Sequence, residues 1–247
     1  MTAPLTINGI HKAFGKNNVL NDISFELREG EIFGLIGLNG AGKTTLIKII
    51  LNLLNADKGS ASIFNLDSAS VEARQKLCYL PEKFQPSRYL KGREFLSFAL
   101  SYYNKKLDSA KADDMARAFD LRPEMLNSRV GAYSKGMGQK LGLLSAFMAD
   151  VPFLILDEPM SGLDPSARIK LKRMLLDARK NGASIFFSSH ILSDIDEICD
   201  RIGIIHGGEL IYIGTPQAFK EAYNNASLEI AFLKAIGAEA ETNPEAA

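Results

Sequence analysis

The chain has 247 residues, 46% hydrophobic and 23% charged. Those proportions exclude a disordered or collagen-like chain and bound the fold at one large domain, or a domain with a built-in subdomain. Lys and Arg (29) cancel Asp and Glu (29), so no global field draws the protein to nucleic acid or to an anionic membrane, and either role would need a local patch.

In chain order, Leu5, Ile7, Val19, Leu20, Ile23, Phe25 and Leu27 fall in two alternating runs around Gly15-Lys16-Asn17-Asn18, which predicts two strands joined by a turn. After a second turn at Glu29-Gly30, the apolar run Ile32 to Ile36 reads as a central buried strand ending at Gly37. Thr44 to Leu54 is apolar almost all round, as expected of a helix buried between two layers. Between Glu82 and Ala149 helical spacing replaces strand texture. Phe95, Phe98 and Tyr102 form one predicted stripe, Met115 and Phe119 another, and Met137, Leu141, Leu144 and Met148 a third.

The strand pattern returns at Val151, followed by a predicted helix over Pro165 to Lys180 with Asp164 as N-cap, Pro165 at N1 and Asn181-Gly182 at its end. Ile185 to Ser188 reads as a further buried strand, Ile191, Ile195 and Ile198 as a helix, and Ile202 to Tyr212 as a hairpin around Gly207-Gly208. A weak apolar helix covers Leu228 to Leu233, and the small, acidic string 238–247 is expected to be disordered. Strands alternating with helices imply a parallel core sheet, and no internal repeat points to a solenoid.

The first thirty residues hold no secretory run, and the most apolar later stretch, Leu141 to Leu156, is broken by Asp150 and Pro152, short of the ~20 apolar residues of a membrane helix. The expectation is a protein that is neither exported nor membrane-spanning. Cys78 and Cys199 lack metal or disulfide spacing and read as reduced thiols of a cytoplasmic protein. His11 and His206 read as surface residues near turns.

Two segments carry chemistry. Gly37-Leu38-Asn39-Gly40-Ala41-Gly42-Lys43-Thr44 fits G-x-x-x-x-G-K-[ST] between a buried strand and a helix. Its glycines let backbone N–H groups turn inward, the helix directs its positive end at phosphates, Lys43 pairs with the outer phosphate oxygens and Thr44 offers a hydroxyl to Mg2+. Phe153-Leu154-Ile155-Leu156-Asp157-Glu158 places two carboxylates at the end of an apolar strand, where Asp157 can hold the magnesium shell and Glu158 can take a proton from the attacking water.

With these residues the chain resembles the ATP-binding subunit of ATP-binding cassette (ABC) transporters, from about Thr6 to Leu233. The resemblance implies an α/β fold: a P-loop NTPase core with a mixed, mainly parallel sheet, an N-terminal antiparallel β subdomain and an inserted α-helical subdomain. Residues 1–237 would then form one ATPase domain, with core segments 1–82 and 150–217, a helical subdomain over 83–149 and a short C-terminal helix over 226–234. Phe14 matches the family's adenine-stacking aromatic, and the phosphate loop extends through Thr45. Ser134, Lys135, Gly136 and Met137, within Tyr133 to Gln139, match the signature loop that binds the nucleotide held by the opposite subunit, although Lys135 and Met137 depart from the usual Gly and Gln. Ser161-Gly162-Leu163-Asp164 is similar to the D-loop at the dimer interface, and His190 to the switch histidine at the gamma-phosphate.

Glu82 stands where the family usually has Gln, and it could ligate magnesium while adding negative charge beside Asp157 and Glu158. By this resemblance the ligands are ATP and Mg2+, the catalytic groups are Glu158, His190 and Lys43, and two copies form a homodimer sandwiching two ATP molecules. Separate integral membrane permease subunits would dock near Phe84 to Arg93, which reads equally as an ordinary solvated loop. Tyr79-Leu80-Pro81-Glu82, the Tyr133-Ser134-Lys135-Gly136-Met137 signature and the short tail are most like bacterial ABC-2 type exporters. The implied location is the cytoplasmic face of the cell membrane, with no nucleic-acid partner. Two rivals are a soluble ABC ATPase without a membrane partner and a GTPase-type switch, whose guanine-reading motif has only the near miss Asn104-Lys105-Lys106-Leu107.

Overall fold

The computed structural model describes residues 2–238, so most of the expected disordered tail lies outside the described residues. Two strands, β1 (Leu5–Phe14) and β2 (Asn17–Leu27), form a hairpin in which Phe14 pairs with Asn17. The turn is therefore the two residues Gly15-Lys16, tighter than the four-residue turn expected. The buried strand β3 (Ile32–Ile36) leads through the glycine loop into α1 (Lys43–Ile50). Next come β4 (Lys58–Ile63), β5 (Leu66–Asp67), α2 (Val71–Gln75) and β6 (Leu77–Leu80). The segment from 83 to 149 contains α3 (Gly92–Ser101), α4 (Ser109–Ala118), two 3₁₀ turns and α5 (Lys135–Ala149), with only an isolated bridge between Lys91 and Arg129. The chain continues through β7 (Phe153–Asp157), α6 (Pro165–Lys180), β8 (Ser184–Ser189), α7 (Leu192–Ile198), β9 (Arg201–His206), β10 (Glu209–Gly214), α8 (Pro216–Ala222) and α9 (Leu228–Ala235).

One sheet has four antiparallel strands in the order β2-β1-β4-β5. The other has six, β10-β9-β3-β8-β7-β6, all parallel except for the β9–β10 hairpin. This is the mixed, mainly parallel α/β core with an antiparallel N-terminal sheet that the sequence implied. Alternation along the central strands divides the interior in two. Phe33, Leu35, Phe153, Ile155 and Phe186 pack with Leu46, Ile47 and Ile50 of α1 and with the four-stranded sheet, and Phe25, Phe33 and Phe186 stack in series. Ile32, Ile36, Leu154, Leu156, Ile185 and Phe187 face the other way, toward α5, α6 and α7. The helix after the glycine loop is thus buried between layers, as its all-round apolar sequence demanded.

Three expectations need correction. Helix α1 ends at Ile50, not Leu54, because Asn52 turns into the left-handed region (φ 52°), a conformation Asn tolerates, and Leu53 swings out to solvent. On α3 the buried face is Leu96 and Leu100, with Phe95 partly packed; Phe98 and Tyr102 are 71% and 56% exposed and so form no core stripe. His11 lies within β1, half-buried and 3.9 Å from Asp22, and not at a turn. Both cysteines are free. Among the described residues no helix is long and apolar enough to cross a membrane.

Candidate functional site

Strands β3, β7 and β8 run parallel, with Ile36 beside Ser189 and Asp157 beside Ser188. Their carboxyl ends therefore deliver three groups to the same sheet edge: the glycine loop from Gly37, the carboxylate Glu158, and His190. In an open parallel sheet that carboxyl edge is where ligands bind. A cavity of about 400 Å³ opens there, lined by Asn39 to Thr45 with Glu82, Glu158, Ser161 and His190.

The loop's shape rests on glycine. Gly42 has φ 102°, and a Cβ there would lie 2.7 Å from Leu20 Cδ2 and 2.9 Å from the Val19 carbonyl oxygen. The β1–β2 hairpin is therefore pressed against the loop at Gly42, and a glycine-rich backbone of this kind can turn N–H groups toward an anion. Gly42→Ala is expected to cost ~1–3 kcal/mol of stability through strain and clash, read as a lower midpoint in thermal denaturation, and to weaken nucleotide binding as well.

Lys43, 7% exposed, donates from Nζ to the carbonyls of Gly37 (2.7 Å) and Leu38 (3.3 Å) and lies 3.8 Å from Glu158 Oε1. Burial holds its ammonium below the usual lysine range, against the opposing pull of Glu158, Asp157 and Glu82. A buried ammonium among carboxylates beside a glycine-rich loop is suited to a polyanion that brings several negative oxygens of its own.

The carboxylates are held as a unit. Thr44 Oγ1 donates to Asp157 Oδ2 at 3.0 Å, and Ser188 Oγ donates to Asp157 Oδ1 at 2.5 Å. The Glu158 N–H in turn donates to Ser188 Oγ at 3.1 Å and to the Ser188 carbonyl at 3.2 Å. Glu158 is a non-glycine residue at φ 50°, a conformation that turns its chain off the strand at this point. Its Oε2 accepts from His190 Nδ1 at 2.8 Å and from the His190 backbone N–H at 3.3 Å. An ionised carboxylate only accepts, so Nδ1 carries the proton. Tyr79, half-buried nearby, has its hydroxyl pushed up to about 12, first by burial and then by the charges of Asp157 and Glu82.

The donor set tests the fit of a divalent cation. Thr44, which lines the cavity, and the buried Asp157 beside it bring two hard oxygens within hydrogen-bond distance of each other, and Glu82 lines the same cavity. Among the described residues no group of three or more His, Cys, Asp or Glu could hold a metal ion. Such a set suits Mg2+, which binds through one or two carboxylates plus phosphate oxygens and water, and does not suit an all-protein cage.

Other predicted residues lie outside this cavity. Phe14, 51% exposed at the end of β1, has the Lys12 ammonium 5.5 Å from its ring centroid. It sits on the hairpin that braces Gly42 but does not line the cavity. Ser134 caps α5 by accepting from the Met137 N–H at 3.2 Å. Ser134 and Lys135 border a separate cavity with Glu82, Phe84, Arg88 and Tyr89, and Gly136 faces the carbonyl of Gly162, 3.1 Å from where its Cβ would stand. Within one chain, then, Lys43, Thr44, Thr45, Asp157, Glu158, His190 and Glu82 meet, and Ser134 to Met137 do not join them.

Ser188 is the functional residue that sequence reasoning passed over. It holds the Asp157 carboxylate and the Glu158 backbone N–H, and the signal for it was its place opposite Asp157, which depends on knowing that β7 and β8 are neighbours. Gln139 is similar: its side-chain amide donates to the Pro159 carbonyl at 3.3 Å, tying α5 to the turn after Glu158.

Comparison with known proteins places this geometry. A family profile described as "ABC transporter" matches residues 20–161. An uncharacterized ABC transporter ATP-binding protein, sll0415, of Synechocystis sp. is 37% identical over 199 residues, which cover 79% of this chain and 56% of that protein. The chain thus spans little more than half the length of that relative. The Nod factor export ATP-binding protein I of Burkholderia orbicola is 32% identical over 223 residues, covering 89% of this chain and 73% of that protein. A solved structure described as the ATP-binding subunit of an ABC transporter superposes with a TM-score of 0.85 at 33% identity, covering 94% of this chain and 98% of that one.

Proposed function

This chain belongs to the ABC transporter family of ATP-binding proteins, and on that premise we propose that it binds and hydrolyses ATP to drive an exporter whose membrane-spanning subunits are separate chains. The observation that carries the proposal is the convergence of Lys43, Glu158 and His190 on one cavity with the glycine loop, where Thr44 is bonded to the buried Asp157. The exporter reading draws support from the name of the Nod factor export relative. On this reading the protein sits at the cytoplasmic face of a membrane, and nucleic acid is not a partner.

The triphosphate tail is held by the N–H groups of 39–45, with Lys43 exchanging its Gly37 and Leu38 carbonyls for phosphate oxygens and Phe14 offering a ring to the base. Thr44 and Asp157, with Glu82 nearby, would hold Mg2+, which neutralises phosphate charge when bound. Glu158 takes the proton of the attacking water, and His190, fixed through Nδ1 to Glu158, stands at the gamma-phosphate, to which its other ring nitrogen donates when it carries a proton as well. Ser134, Lys135, Gly136 and Met137 lie off this cavity, so we assign them to the nucleotide of a second copy, where the start of α5 points its free N–H groups and positive end at phosphate. A charge clamp completed only by a partner makes an isolated chain a poor ATPase.

Purification of the tagged protein from its native membranes tests the proposal. Expected are an accompanying integral membrane protein and ATP hydrolysis that rises with protein concentration; hydrolysis with no membrane companion would favour a soluble ATPase. Glu82 adds a negative charge where phosphates collect, so Glu82→Gln is expected to tighten Mg-ATP binding several-fold and to change turnover. Steady-state phosphate release across ATP concentrations checks this, and identical curves would leave the charge at Glu82 without a role.

A further inference from the structure

The turn at His190 leads directly into α7, the loop after Glu158 leads over residues 159–164 into α6, and these two helices are joined by charge. Asp194, in the first turn of α7 and only 4% exposed, pairs with the Arg168 guanidinium and, at 3.4 Å, with the Lys172 ammonium, both on α6. Lys172 also reaches Glu197, one turn further along α7, at 2.5 Å. Arg168 lies one turn beyond Asp164, the N-cap of α6, and its N–H donates to the Asp164 carbonyl at 3.0 Å. Asp194 lies four residues beyond His190.

A nearly buried carboxylate between two cations admits few arrangements, because moving either helix leaves a charge without its partner in a poorly solvated place. The rigid unit made by α6, α7 and Asp194 therefore fixes the separation of the two turns whose side chains meet at the 2.8 Å contact between His190 Nδ1 and Glu158 Oε2. We propose that Asp194 is a positioning residue for ATP hydrolysis, holding the His190 turn in register with Glu158 and Ser161 through its ion pairs with Arg168 and Lys172. The inference rests on the reading of this chain as an ATP hydrolase. Asp194 touches no reacting atom; it acts through His190.

The test is Asp194→Asn, which keeps the shape and removes the charge. Turnover in the ATP-bound protein is expected to fall about 10- to 100-fold, the usual loss when a catalytic contact is displaced by about an ångström. ATP affinity, set by the loop 37–44, is expected to stay within about twofold, so that kcat moves and binding does not. The chain has 3 histidines, so long-range proton–nitrogen NMR resolves them, with His190→Ala as the assignment control. In Asp194→Asn the His190 Nδ1 signal is expected to shift while those of His11 and His206 stay, and Asp194→Glu is expected to recover most of the turnover.

Wild-type turnover with an unmoved His190 signal would overturn the inference. So would equal losses of binding and turnover with all three histidine signals altered, which would mark a general loss of structure. Should Asp194→Asn fail to fold, Arg168→Lys, which keeps the charge and removes the fork, is read by the same two measurements. A parent protein that binds ATP without hydrolysing it overturns the hydrolysis reading instead, and the His190 spectrum then decides the Asp194 contact by itself.

Discussion

Glu158→Gln is expected to stop turnover while leaving ATP bound. The amide matches the carboxylate in size and can still accept from His190, so the fold around it should persist, but it cannot take a proton from water. General-base catalysis contributes ~10²- to 10⁴-fold, and a loss of that order is expected in single-turnover phosphate release. With hydrolysis blocked, ATP should accumulate in the closed arrangement, and size-exclusion chromatography with ATP should show dimers that the parent protein forms only transiently. Full activity in this variant would end the assignment of Glu158 as the base.

The second large effect is on binding. Lys43→Ala removes the one cation that the loop itself contributes to the cavity, and with it charge-assisted hydrogen bonds to phosphate worth ~1.5–3 kcal/mol each, so nucleotide affinity should drop about 10- to 100-fold or more. Stability should respond differently. Burial costs the Lys43 ammonium more than its neighbouring carboxylates return, which is why its pKa lies below the ordinary lysine value. A lysine whose folded-state pKa is depressed is charged at a cost to folding below that pKa, and removing the charge lifts that cost while giving up the contacts to Gly37 and Leu38. The nucleotide-free variant should therefore melt close to the parent while failing to retain labelled ATP. Parent-like retention would show that Lys43 is not the phosphate-binding lysine.

These two effects fall on the part of the site most legible in the sequence. A buried apolar strand, a glycine loop and an all-round apolar helix can be read in order without knowing any tertiary contact, and so can an apolar strand closing on Asp157-Glu158. Contacts between strands distant in sequence cannot. Ser188 acquires its role only because β8 lies beside β7, and the meeting of His190 with Glu158 comes from the same pairing.

Elements also escaped notice where hydrophobic periodicity is weak. Strand β4 reads Lys-Gly-Ser-Ala-Ser-Ile, small and polar because much of it faces solvent, and α2 and β6 are five and four residues long, too short for a period to register. On α3 two apolar stripes compete, Phe95-Phe98-Tyr102 and Leu96-Leu100. Spacing alone does not say which faces inward; packing against α5 buries the leucines.

The contact between Gly136 and Gly162 carries a last consequence. The start of α5 and the turn after Glu158 approach so closely that a Cβ on Gly136 would lie 3.1 Å from the Gly162 carbonyl, and the Lys135 side chain runs beside Gly162. In the proposed pair, the first turn would grip one subunit's nucleotide while the second borders the pocket of its own. A shift on one side has no slack to absorb it before it presses on the other. The two ATP molecules would then be felt by each other across the pair, and the rate would climb with ATP as a sigmoid, with a Hill coefficient above one.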